Sequence, residues 1–170
     1  MVSKKEAIKV KKFAYDPSKE PLGSGTYGTV FKGFEIENRK NFVAIKLVHK
    51  SLLEHYKNLE ELCKRELEVL KTAQGPGILE LKDYFATNEG NLYIVTKYYE
   101  DGNLAQLMAK YKGKLPPKLA INILKEVAKT FIELKKKLED EGRKIRILHR
   151  DLKPENILMN KEVPVIADFG

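Results

Sequence analysis

The chain of 170 residues has one cysteine, Cys63, so it cannot close an internal disulfide. No apolar run approaches the roughly 20 residues that a membrane-spanning helix needs. The lysines of Met1–Lys12 are followed by no apolar stretch of the kind a secretory leader carries. Together these absences point to a reducing compartment, the cytosol, with the nucleus as an alternative. No basic run is interleaved with aromatics, so the net charge of +8 reads as a lysine-rich exterior and not as a nucleic-acid platform. There is no internal repeat and no low-complexity tract. The length suffices for one real core but falls short of the roughly 250 residues a large single domain can reach. Apolar content of 42% and charged content of 33% fit a soluble globular chain.

Residues 1–12 read as a basic lead-in, frayed or weakly helical. Residues 13–98 are strand-rich. Val30–Phe34 and Phe42–Val48 are β-branched and aromatic runs separated by the polar turn Asn38–Asn41. Two more strands are predicted near Leu79–Phe85 and Leu92–Tyr98. Between these pairs one helix is predicted from Ser51, where Ser51 and Glu54 have capping-box spacing, with Leu59, Leu62, Cys63, Leu67 and Leu70 as its apolar stripe. Residues 99–170 turn helical. Asn103 is a candidate cap for Leu104–Tyr111, and Pro116-Pro117 opens a long helix with Leu119, Ile123, Val127, Phe131 and Leu134 on one face and Gly142 as its stop. Short strands are predicted near Ile145–Leu148, Ile157–Met159 and Val163–Ala167. The pattern predicts an α+β fold of two lobes that divide near Glu100.

Four constellations carry chemistry. In Gly23-Ser24-Gly25-Thr26-Tyr27-Gly28, the side-chain-free Gly23, Gly25 and Gly28 let backbone N–H groups approach phosphates. A plain hairpin is the competing reading. A dinucleotide fold is disfavoured because a strand follows the loop, not a helix. Lys46 lies inside an apolar strand, where an unpaired charge is costly. It is either a solvent-facing edge lysine or a phosphate-binding cation with an acidic partner. Glu66 follows Leu59, Leu62 and Cys63 by seven, four and three residues, which puts it on the apolar face of its helix as that candidate partner, or at the rim of the stripe in water. In His149-Arg150-Asp151-Leu152-Lys153-Pro154-Glu155-Asn156, Asp151 can accept a hydrogen bond from an incoming hydroxyl, and Lys153 can neutralise charge on a transferring group. Asn156 offers a hard oxygen to a metal, and His149 reads as a packed core histidine. Asp168 ends an apolar strand, as a metal carboxylate or a simple turn residue.

In this order the motifs resemble the eukaryotic-type protein kinase superfamily from about Tyr15 to Gly170, and Lys153 two residues after Asp151 is similar to the serine/threonine branch. The resemblance implies a β-rich N-lobe with one helix, an incomplete helical C-lobe, ATP and Mg2+ as cofactors, and phosphoryl transfer to a protein Ser/Thr hydroxyl. Lys46, Glu66, Asp151 and Lys153 would be catalytic. Gly23, Gly25, Gly28, Val30, Ala44, Lys46, Thr96, Lys97, Tyr98, Tyr99 and Leu158 would bind the nucleotide, Thr96 as gatekeeper and Lys97–Tyr99 as hinge. Asn156 and Asp168 would hold the metal. Leu70, Leu81, His149 and Phe169 match the family's regulatory spine. Lys97 departs from the acidic hinge residue common in the family. The sequence ends at Asp168-Phe169-Gly170, where an activation segment would begin. By itself such a chain is expected to be inactive and marginally stable, with part of the Leu119–Leu134 stripe facing water. The alternative is a kinase-like module that binds a nucleotide or a partner without catalysis.

Overall fold

A computed structural model describes residues 7–25, 28–142 and 147–169. The chain divides into two compact units, Met1–Glu61 with Leu81–Tyr98, and Leu62–Glu80 with Tyr99–Gly170.

The first unit is an antiparallel sheet. Its strands are β1 (Ile8–Val10), β2 (Phe13–Tyr15), β3 (Gly23–Gly25), β4 (Gly28–Glu35), β5 (Phe42–Val48), β6 (Leu81–Ala86) and β7 (Leu92–Lys97). The order is β1-β2-β4-β5-β7-β6, with β3 paired to the start of β4. Residues Ile8–Val10 are thus a strand, against the expectation of a frayed or helical lead-in. Val10 is buried, and the hairpin turns at Lys11, which takes φ 52°. Lys11 also reaches the far strand: its ammonium lies 3.6 Å from Asp83 and 4.2 Å over the Phe85 ring. The sheet therefore curls until its first and last strands meet. Inside the curl Val10, Phe13, Tyr15, Val43, Ile45, Leu47, Tyr93 and Val95 form one core. Each fully buried aliphatic side chain there contributes roughly 1.5–3 kcal/mol. Burial raises the Tyr15 phenol pKa, and the adjacent Tyr93 hydroxyl adds to it. Gly33 is dictated by packing, since a Cβ there would stand 2.7 Å from the Ala14 carbonyl and 2.5 Å from Ile45.

The helix predicted from Ser51 is in fact two. The first, α1 (Lys50–His55), starts one residue earlier, and its cap, His49, makes no side-chain bond. The capping box does not form. Asn91 Oδ1 accepts the Lys50 N–H instead, and Glu54 pairs with Lys50 at 3.4 Å. Nothing on α1 is buried, so no packing carries it past Tyr56, whose backbone is extended. The apolar stripe begins only with α2 (Leu59–Thr72), on which Leu59, Cys63, Leu67 and Leu70 are buried and Leu62 is 37% exposed.

From Leu62 onward α2 belongs to the second unit, with α3 (Leu104–Lys110), α4 (Pro117–Asp140), a 3-10 turn Pro154–Asn156 and the hairpin of β8 (Ile157–Asn160) and β9 (Val163–Ile166). Asn103 caps α3 in a complete capping box with Gln106. Pro117 opens α4, and Gly142, at φ 66°, follows its end. Ile145 of the predicted Ile145–Leu148 strand lies outside the described residues, and Ile147 and Leu148 are irregular. Part of the α4 stripe was expected to face water; Ile123, Val127 and Leu134 are buried, with Thr130 and Leu138, and Leu119 and Phe131 are half-buried. The exposed apolar residues are a different set, Ile121, Leu124 and Ile132. The hairpin is tethered on both edges. The Ile166 N–H donates to the Gly77 carbonyl and the Leu79 N–H to the Ile166 carbonyl, while the Met159 N–H donates to the Gly102 carbonyl. Among the described residues no helix is long and apolar enough to cross a membrane.

Candidate active site

The first unit presents its candidate residues by sheet register. On β5, Val43, Ile45 and Leu47 point into the core, so Phe42, Ala44 and Lys46 occupy the opposite face. Val30 pairs with Lys46, Ala44 with Thr96, and Lys46 with Ile94. Val30, Ala44, Lys46 and Thr96 thus share one face. Thr96 is buried and Lys46 half-buried. Lys97 is exposed, and Tyr98 and Tyr99 are partly buried where the chain leaves the first unit for the second. Burial raises the Tyr99 phenol pKa, with the Glu80 carboxylate adding to it.

On either side of the glycine loop β3 and β4 pair antiparallel, with Gly23 opposite Val30 and Gly25 opposite Gly28. Thr26 and Tyr27 lie outside the described residues. Gly28 is fixed by geometry: its φ is 138°, and a Cβ would stand 2.5 Å from the Leu47 carbonyl. At Gly23 and Gly25 a Cβ would meet nothing within 4 Å. Packing against the described residues does not require glycine at either position.

The second unit holds its residues by loop contacts. Asp151 Oδ2 accepts a hydrogen bond from Lys153 Nζ at 2.7 Å and from Asn156 Nδ2 at 3.1 Å, and Nδ2 also donates to the Asp151 carbonyl at 2.9 Å. The Lys153 hydrogen bond holds the Asp151 carboxyl below its usual range, and the same bond raises Lys153. Asn156 is buried, and because its NH2 group serves Asp151, its Oδ1 is the atom left for a cation. Reading the sequence gave Asn156 only a metal role. Its orienting of Asp151 carries no sequence signal beyond the five-residue spacing.

Asp168 is placed through Ala167. The Ala167 N–H donates to the Asn156 carbonyl at 2.9 Å, and the His149 Nε2–H donates to the Ala167 carbonyl at 2.8 Å. A carbonyl only accepts, so His149 carries its proton on Nε2, and its buried Nδ1 has no partner among the described residues. The His149 ring packs 4.8 Å from Phe169 and 6.5 Å from Phe131. Arg150 and Asp168 both take left-handed backbone, at φ 64° and 55°. The Asp151 N–H bonds the His149 carbonyl at 2.8 Å across Arg150, a strained three-residue turn. Such strain costs of order 1–3 kcal/mol per residue and persists only where surrounding contacts over-determine it. The double tether at Ala167 and the buried rings of His149 and Phe169 do so here. Leu158, on β8, is bridged to Asn103 and partly buried. Glu66 is half-buried on the same face of α2 as Cys63 and Leu70.

Among the described residues no group of three or more His, Cys, Asp or Glu side chains could hold a metal ion. The amide oxygen of Asn156 and the carboxylate of Asp168 are hard donors. Two such ligands suit Mg2+, which keeps several waters and completes its shell with substrate phosphates.

Residues 17–170 match the protein kinase domain family. Serine/threonine-protein kinase ULK3 of Xenopus laevis is 36% identical over 154 residues, 89% of this chain and 30% of that protein. Serine/threonine-protein kinase cds1 of Schizosaccharomyces pombe is 32% identical over 172 positions, 99% of this chain and 35% of that protein. Calcium/calmodulin-dependent protein kinase type I of the same yeast is 36% identical over 155 residues, 88% and 42% respectively. The chain thus spans about a third of the length of the first two of these curated relatives. The family uses ATP and Mg2+ and acts on proteins. With a curled antiparallel sheet, a helical second unit and a sequence match from Pro17 onward, this chain belongs to the protein kinase domain family.

Proposed function

We propose that this chain carries the nucleotide-binding and catalytic residues of a serine/threonine protein kinase, working in the cytosol or the nucleus. One observation carries the reading most: Asp151 is oriented by Lys153 and Asn156 at once, with its carboxyl held ionised. A substrate hydroxyl donates to the Asp151 carboxylate, which aims the oxygen in line with the γ-phosphorus. As the new P–O bond forms, the bond to the leaving ADP oxygen breaks and the hydroxyl proton passes to Asp151. Lys153 neutralises charge on the transferring group. In the first unit Lys46 holds the α- and β-phosphates and Gly23, Gly25 and Gly28 cover them, while Glu66 of the second unit is the acidic residue that the family reading assigns to Lys46. For the adenine, the first unit offers Val30, Ala44, Thr96 and the backbone of Lys97 and Tyr98, and the second unit offers Tyr99 and Leu158. Mg2+, when bound by Asn156 Oδ1 and the Asp168 carboxylate, offsets the negative charge of the phosphates.

A binding module without catalysis is not favoured, because the residues proposed for each step of the transfer are all in this chain. The test is transfer of labelled γ-phosphate to a Ser/Thr-containing protein by wild type, Asp151→Asn and Lys46→Met, beside MgATP thermal shifts. Phosphotransfer lost in both variants, with the MgATP shift lost only in Lys46→Met, is the expected result. Transfer that survives Asp151→Asn would falsify the mechanism, and MgATP binding without any wild-type transfer would favour the binding module.

A further inference from the structure

Lys32 takes no part in the reading above. It lies on β4 opposite Ala44, which lies opposite Thr96, so it extends the candidate adenine face by one position. Its side chain is exposed, yet among the described residues it forms no ion pair. Its ammonium instead stands 4.1 Å over the Phe42 ring and 4.3 Å over the Tyr98 ring, and these two rings meet edge to face at 6.4 Å. Tyr98 lies just past the end of β7, and it is the last residue of the first unit. No described hydrogen bond of a side chain fixes it. A cation shared between two aromatic faces is worth more than either contact alone in holding both rings.

We infer that Lys32 is a positioning residue for adenine recognition: by clamping the Tyr98 ring against Phe42, it fixes the backbone of Lys97–Tyr99 in the conformation that hydrogen-bonds the base. This rests on the proposed nucleotide site. A clamp on this backbone makes a distinctive demand. It acts on the base, so it strengthens adenosine and ATP by the same factor, whereas a lysine that touched phosphate would strengthen ATP alone. Arginine also lies flat on aromatic faces and should preserve the clamp.

The test is direct binding of adenosine and of MgATP to wild type, Lys32→Met, Lys32→Arg, Tyr98→Leu and the Lys32→Met/Tyr98→Leu pair, with thermal melts of each protein. Lys32→Met should weaken both ligands about 5-fold, in line with a partly exposed cation–π pair. Lys32→Arg should restore wild-type affinity, and the double variant should lose no more than Tyr98→Leu alone. Loss for MgATP with adenosine unchanged would overturn the clamp in favour of a phosphate contact. Equal affinities in wild type and Lys32→Met would also overturn it and leave the site standing. Should wild type bind neither ligand, the nucleotide site itself falls and the clamp with it. If Lys32→Met does not fold, the Tyr98→Leu and Lys32→Arg arms decide: Tyr98→Leu must weaken both ligands equally and Lys32→Arg neither.

Discussion

The two units build their candidate sites by opposite means. In the first, Val30, Ala44, Lys46 and Thr96 share a face because strand residues alternate and neighbouring strands are in register. No residue among these four is strained. In the second, Asp151, Lys153 and Asp168 sit on irregular backbone and Asn156 ends a single 3-10 turn, Arg150 and Asp168 have strained φ angles, and the positions depend on a few hydrogen bonds through Ala167 and His149. A site set by register resists loss of any one contact, because the whole ladder defines it. A site set by loop tethers fails when one tether goes, and such tethers leave little trace in sequence.

The largest expected effect lies in the tethered site. Asp151→Asn removes the proton acceptor while keeping a side chain of the same shape. Phosphotransfer should fall by about 10²–10⁴, with MgATP affinity nearly unchanged, as read from steady-state kcat and a separate nucleotide titration. A fall below tenfold would mean that Asp151 does not carry the proton. The register-built face is broken by backbone collision instead. Gly33→Val would push Cβ into the Ala14 carbonyl and Ile45, at a cost of roughly 2–4 kcal/mol in a well-packed core. Denaturant unfolding should show it, and a loss under 1 kcal/mol would mean that β2 can move away from β4 freely.

How far the sequence disclosed this molecule follows the same division. β5 was legible from end to end, since Phe42–Val48 is β-branched and flanked by turn residues. The Asn103 cap and the Pro117 start were legible because the side chain itself performs the local task. The Ser51 start was not: an equally local pattern lost to Asn91, distant in sequence, which supplies the cap bond to Lys50. Strand β1 was hidden by its shortness and by Lys9, since only Val10 of its three residues is buried. In the candidate site, residue types and spacing singled out Asp151, Lys153, Asn156 and Asp168. The part of Ala167 could not be read, because it acts through its backbone alone.

Smaller effects sharpen the contrast. His149→Phe keeps an aromatic ring against Phe169 but deletes the bond to the Ala167 carbonyl, leaving a buried acceptor unpaired. The cost should be about 1–3 kcal/mol, with kcat reduced and MgATP affinity spared if the tether positions Asp168. Lys153→Met acts on protonation. The Asp151 pKa is depressed, so its ionised form, and the activity that needs it, is lost only as pH falls through that lowered value. Removing Lys153 removes the largest cause of the depression. The acid limb of the kcat/KM profile should therefore move to higher pH, toward the usual carboxylate range. An unmoved limb would mean that another group sets it.

The smallest effect belongs to the first unit, where Lys11 joins the two ends of the curled sheet. Its ion pair with Asp83 is half in solvent, so salt screens it, while its contact with Phe85 is not an ion pair and is less sensitive to salt. Lys11→Met should cost no more than about 1 kcal/mol, and most of that cost should survive in high salt if the ring contact dominates. The core beneath it, with Phe13 and Val95 fully buried, does not depend on this closure. A loss of several kcal/mol would show that the sheet is held by its ends, and the first unit would then depend on single tethers as the second does.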